Sequence, residues 1–186
     1  MRKKLLWITE TAVLLALLVA LQAVTKPLGQ LVTGSFVNCV LAIAVLVAGL
    51  FSGIAVAVIS PVLAYLLGIA SQIITVPAIM VGNTVFVVLL HFIAGGDSKN
   101  ILRKVLAWLT AAAAKFAALY MIVVWLICDV FAQRLMGNGV TASALLQPPM
   151  LKALPTMFSW PQLFTALIGG GAALLMAPVL RKALKK

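Results

Sequence analysis

A lysine stands deep inside an apolar stretch, in AAAAKFAALY at Lys115, near the middle of the segment 101–131. An ammonium held at bilayer depth costs roughly 2.5–3.5 kcal/mol on insertion scales, so it should face a wet cavity or a partner anion. The alternative is a structural contact to a backbone carbonyl, or snorkelling to an interface, which is difficult from mid-span. No acid is placed as an internal mate. Asp129 lies near the outer end of the same segment, and Glu10 near the inner end of the first apolar run. The chemistry on offer is recognition of a carboxylate or phosphate on a small ligand.

Amides and aromatics could complete such a site. Asn83, in PAIMVGNTVF, falls in the outer half of the fourth span, and Asn38 at the outer start of the second. Each can orient a ligand or simply bond two helices together. Gln30, Gln72, Trp160 and Gln162 fall in or beside loops from which they can reach an outward pocket. Tyr120 and Trp125 can stack on a ring, although interfacial anchoring explains aromatics near a membrane boundary equally well. His91 reads as a packed structural histidine. Cys39 and Cys128 lie in apolar runs without metal-ligand spacing, so no metal, cofactor or disulfide is expected. The chain shows no carboxylate pair, no His/Glu zinc motif and no Gly-x-Ser-x-Gly elbow, which argues against an enzyme. Without a Walker motif, any ATP hydrolysis must come from another polypeptide.

The elements that must position these residues are membrane helices. Hydrophobic residues make up 65% of the 186 positions and charged residues 9%, with only three acids. No soluble core of this length needs so much apolar surface. The net charge of +11 does not indicate nucleic acid, because the basic residues sit at the ends of apolar stretches. Arg2, Lys3 and Lys4 precede the first run as in a secretory signal. That run is about twice the usual length and lacks a cleavage site, so it is expected to stay as a helix.

Six spans are predicted in a single domain over 1–186, with no internal repeat. The first runs from Leu5 to about Thr25, where Lys26, Pro27 and Gly29 break it. The polar linker TKPLGQLVTGS leads to the second span, 36–50. A tight turn at Phe51, Ser52 and Gly53 leads to the third, 54–69, which Pro61 should kink. The loop ASQIITV precedes the fourth, 77–94, and the residues from Gly95 to Lys99 make a hydrophilic turn. The fifth is 101–131. MGNGVTASALLQPPMLKALPTMFSWP then forms a long re-entry loop before the sixth, 162–180, which holds the flexible triplet Gly169, Gly170, Gly171.

With both termini inside, ten basic residues fall on the cytoplasmic side: Arg2, Lys3, Lys4, Lys99, Arg103, Lys104, Arg181, Lys182, Lys185 and Lys186. Only Lys26, Arg134 and Lys152 fall outside, an asymmetry that fixes this orientation. The long connections then face outward and the tight ones inward, as expected of a pocket that opens outward under loops.

Ala12, Ala16 and Ala20 recur every fourth residue on the first span, forming a shallow stripe on one helix face. Lipid gives such a stripe no advantage, whereas a second helix does, because small side chains let backbones approach. The stripe packs this helix either within its own bundle or against another protein.

Six spans, internal termini, the Ala-x-x-x-Ala-x-x-x-Ala stripe, the segment LGQLVTGSFVN and the GLFSG turn together resemble the substrate-binding S components of energy-coupling-factor (ECF) vitamin transporters. The resemblance covers essentially the whole chain. It implies an all-α membrane bundle in the bacterial plasma membrane that binds a vitamin-like molecule and works within an ABC-type importer. It also implies that Ala12, Ala16 and Ala20 dock on a transmembrane T component driven by two ATPase subunits. The pocket would lie in the outer half under the first loop, and the S component would topple in the membrane to deliver its ligand. The competing reading is a stand-alone carrier or channel, for which the chain offers almost no buried acids to couple ions. A structural subunit without a ligand leaves Lys115 unexplained.

Overall fold

Long apolar runs punctuated by glycine and proline give a helical bundle, because every backbone polar group must be satisfied internally in lipid. The computed structural model describes residues 2–70, 72–94, 100–131 and 148–184. Its helices are α1 (Arg2–Thr25), α2 (Gln30–Ile43), α3 (Leu50–Leu66), α4 (Val76–Ala94), α5 (Ile101–Leu119), α6 (Pro148–Met157) and α7 (Trp160–Ala183). The helix of α2 continues in wider π winding over Ala44–Ala48, and that of α5 over Tyr120–Phe131. The expected turn at 95–99 lies outside the described residues, as do 132–147 of the re-entry segment, Arg134 and the terminal Lys185 and Lys186.

Several boundaries differ from expectation for local reasons. The second helix starts at Gln30, not Phe36, so most of the supposed linker is helical. The break is confined to a short 3-10 turn, Lys26–Leu28, and to Gly29, whose φ of 91° favours glycine. The inner reversal falls on Gly49, with φ 98°, so Phe51, Ser52 and Gly53 belong to the first turn of α3. Pro61 is buried inside the continuous helix α3. The supposed re-entry loop ends as the helix α6, and a bend at Phe158 and Ser159 leads into α7. Five helical stretches are long and apolar enough to cross a membrane, and α3 is a shorter apolar helix between two of them.

Six helices close a ring in the order α1, α2, α7, α5, α4, α3 and back to α1. The inner half of the ring is solid. Leu18, Leu41, Val56, Phe86, Val87 and Leu90 are fully enclosed there with Ala107, Ala111 and Ala173. Thr11 Oγ1 and Ser52 Oγ share a hydrogen bond of 2.8 Å that ties α1 to α3. The Arg181 guanidinium donates to the Leu46 carbonyl from Nε at 2.8 Å, joining the end of α7 to the end of the α2 stretch. A second, outer cluster packs α6 onto α5 through Leu154, Phe158, Leu119 and Val123.

The triple glycine is a packing device rather than a flexible point. A Cβ on Gly169 would strike the Ser35 carbonyl, the Cys39 amide nitrogen at 2.7 Å and Asn38 Cβ at 2.8 Å, and one on Gly170 would meet the Trp108 ring at 2.5 Å. Gly34 answers from α2, where a Cβ would lie 2.7 Å from Thr165. Small residues thus bring the α2 and α7 backbones together. Because Gly169 meets backbone, Gly169→Ala is expected to lower stability by about 3 kcal/mol, the upper range of overpacking. Thermal unfolding in detergent measures this, and an unchanged melting temperature would contradict the close approach.

Candidate substrate-binding site

Above the solid half, the outer half of the ring encloses a cavity of about 400 Å³. Its α2 wall is Gln30, Thr33, Gly34, Val37 and Asn38, a spacing of three and four that places all five on one helix face. The polar character that made this segment look like a linker is therefore the cavity-facing stripe of a helix. From α4 come Ile79 and Asn83, with Thr75 before them, and from α5 come Lys115 and Leu119. Gln22 contributes from the end of α1, Lys26 from the 3-10 turn that follows it, and Gln72 from the segment before α4. Leu154, Met157, Phe158 and Gln162 close the side formed by α6 and the start of α7.

Lys115 is the deepest polar group, 2% exposed, and it joins three helices. Its Nζ donates to Asn38 Oδ1 at 2.5 Å and to Asn83 Oδ1 at 2.7 Å, while the Phe86 ring centroid lies 5.6 Å away. Asn38 Nδ2 donates in turn to the Gly34 carbonyl at 2.8 Å and to Thr165 Oγ1 at 3.2 Å. Thr165 Oγ1 donates to the Gln162 carbonyl, and Gln162 Nε2 to the Met157 carbonyl. A continuous polar network therefore runs from the ammonium to the α6–α7 bend.

Two buried atoms in the lining have no partner: Asn83 Nδ2, a donor, and Gln22 Oε1, an acceptor. An unpaired buried polar atom costs about 1–3 kcal/mol, so a further hydrogen bond at either atom would be favourable. Among the described residues no carboxylate lines the cavity, whereas two lysines do. Lys26 Nζ donates to the Gly68 carbonyl at 2.8 Å near the mouth. The helices α2, α4 and α7 also begin at this end, none with an acid in its first turn. Their positive dipole ends add to a field that attracts anions.

The family model for the ECF transporter, substrate-specific component, matches residues 7–181. The chain belongs to that family. No curated protein and no solved structure gave a match. As an S component it is a multi-pass membrane protein and the substrate-specific part of an ECF transporter, which implies a small-molecule substrate and association with a T component and ATPases.

Six of the residues singled out in the sequence meet in the cavity of this S component: Lys115, Asn83, Asn38, Gln30, Gln72 and Gln162. Asn38 lies two turns inside α2 rather than at its start, because the helix begins earlier. Tyr120 and Trp160 do not line the cavity. They are 43% and 63% exposed and flank Phe116, which stacks on Trp160 with ring centroids 5.6 Å apart. Trp125 is also exposed, and the three rings suit interfacial anchoring. His91 is half-buried on α4 away from the cavity, edge-on to Phe92, and both cysteines are free and half-buried. Sequence reading missed Gln22, Thr33, Thr75 and the α6 residues Leu154 and Met157. The signal for Thr33 was its spacing of three residues from Gln30, which puts both on one helix face, and for Gln22 a lone amide in an otherwise apolar run.

Ala12, Ala16 and Ala20 are exposed on the outer surface of α1. That helix is the most peripheral span, with 11% of its apolar stretch buried against 33–50% in the other four long spans. The stripe is therefore not used for packing within the described bundle.

Proposed function

We propose that this S component is a high-affinity binding subunit for a vitamin-like small molecule bearing a carboxylate or phosphate, and that it imports this ligand only together with its coupling module. The observation that carries the reading is the buried Lys115 ammonium facing a vitamin-sized cavity with no acid among its described lining residues. A charge left deep in a membrane protein without an internal counter-ion is most economically explained by an anion that arrives from outside. The volume of about 400 Å³ suits a heterocycle with a short side chain. Glutamines and threonines around the rim can orient its polar edge.

In this reading residues 1–186 act as one domain in the bacterial plasma membrane, with the cavity opening outward and away from the basic cytoplasmic end. The exposed alanine stripe of α1 contacts the T component, and two ATPase subunits supply the energy of import. The S component itself carries no catalytic residue. Native mass spectrometry of the protein released gently from detergent tests the proposal. A co-purified anionic small molecule is expected at unit stoichiometry. Transport of that compound by the S component alone in liposomes would instead establish a stand-alone carrier.

A further inference from the structure

The floor of the cavity has a donor pattern more specific than a general preference for anions. An ammonium carries three N–H donors. Those of Lys115 reach two acceptors, Asn38 Oδ1 and Asn83 Oδ1, which leaves one unused. Asn83 is 1% exposed, and its Nδ2 has no partner, whereas Asn38 Nδ2 is satisfied twice. The ammonium fixes the Asn83 amide with its oxygen inward, because the reverse orientation would set N–H against N–H. Two unused donors thus stand on side chains already bonded to each other at 2.7 Å, next to one fully enclosed positive charge.

We propose that this floor is a carboxylate seat, in which one ligand oxygen accepts from Lys115 Nζ and the other from Asn83 Nδ2. The inference rests on the reading of the cavity as the ligand site and narrows its anion to a carboxylate. A carboxylate brings one negative charge and two acceptor oxygens, which match the single buried cation and the two donors. A phosphate monoester brings about −1.5 to −2 charge and three acceptor oxygens, leaving both charge and an oxygen uncompensated at that depth. The other lining cation, Lys26, is exposed and already bonded to the Gly68 carbonyl.

Three probes sharing one ring separate the possibilities: benzoate, benzamide and phenyl phosphate, each at millimolar concentration with the full-length protein in detergent. Benzoate is expected to raise the melting temperature in a saturable way, and the other two are not. Asn83→Asp removes the Nδ2 donor and sets a carboxylate of its own beside Lys115. It should raise the melting temperature of the unliganded protein and weaken benzoate by about tenfold or more, the loss of one charge-assisted bond plus the added repulsion. A shift with phenyl phosphate as large as that with benzoate overturns the carboxylate seat while leaving an anionic ligand in place. A shift with benzamide equal to that with benzoate, or no shift with any probe, overturns both. Benzoate binding unchanged in Asn83→Asp also overturns the seat.

Discussion

Lys115→Met removes ligand binding: the dissociation constant of the co-purified compound is expected to rise by about two orders of magnitude, roughly 3 kcal/mol. Among the described residues the ammonium is the only fully enclosed charge in the cavity lining, and a hydrogen bond between charged groups in such a place is worth about 1.5–3 kcal/mol before the Coulomb attraction is added. Methionine keeps most of the volume and leaves the apolar contact with Phe86. The fold loses donors to two amide oxygens but is relieved of burying a charge, and the two effects oppose one another. The protein should therefore still fold. Calorimetric titration of wild type and variant, with the melting temperature of each unliganded protein read beside it, separates the two roles. Undiminished affinity in a folded variant would make Lys115 a purely structural link among α2, α4 and α5.

Ala16→Trp is expected to abolish assembly with the T component and ATPases while leaving ligand affinity and melting temperature as they are. Ala16 is exposed on α1 and lies outside the cavity lining, so an indole there meets no neighbour within the bundle. A close helix–helix seam tolerates no such bulk, since its attraction depends on backbones approaching over small side chains. Co-purification of the tagged S component with its coupling module reads the first effect, and uptake into cells or liposomes reads its consequence. Assembly at wild-type yield would move the docking surface to another face. Leu17 and Val13, also exposed on α1, would then be the next positions to probe.

The two predictions concern residues of unequal visibility in the sequence. Lys115 was conspicuous because a charge within an apolar run is expensive, and Ala12, Ala16 and Ala20 because a four-residue period defines a helix face whatever surrounds it. The membrane class and the helical bundle followed from hydropathy, and the expected orientation from the placement of lysines and arginines, which depend on the bilayer rather than on packing. Gln30, Thr33 and Gly34 were misread as linker because polar residues facing a cavity look like polar residues facing water. Gly169, Gly170 and Gly171 were misread as flexible because composition does not reveal that Ser35, Cys39 and Trp108 press against them.

The sequence by itself determined an all-helical multi-pass membrane bundle, one anomalous buried cation and one smooth helix face. It could do so because each of these follows from the cost of charge in lipid or from the period of a helix, which are local properties. Only the tertiary structure decided which helices meet, and hence that Asn38 and Asn83 share Lys115, that the alanine stripe points away from the bundle, and that Tyr120 and Trp160 stay outside the cavity. Those are matters of ring order and of the rotation of each helix about its axis. Both are set by close approach between residues as far apart as Gly34 and Thr165, a relation no sequence window contains.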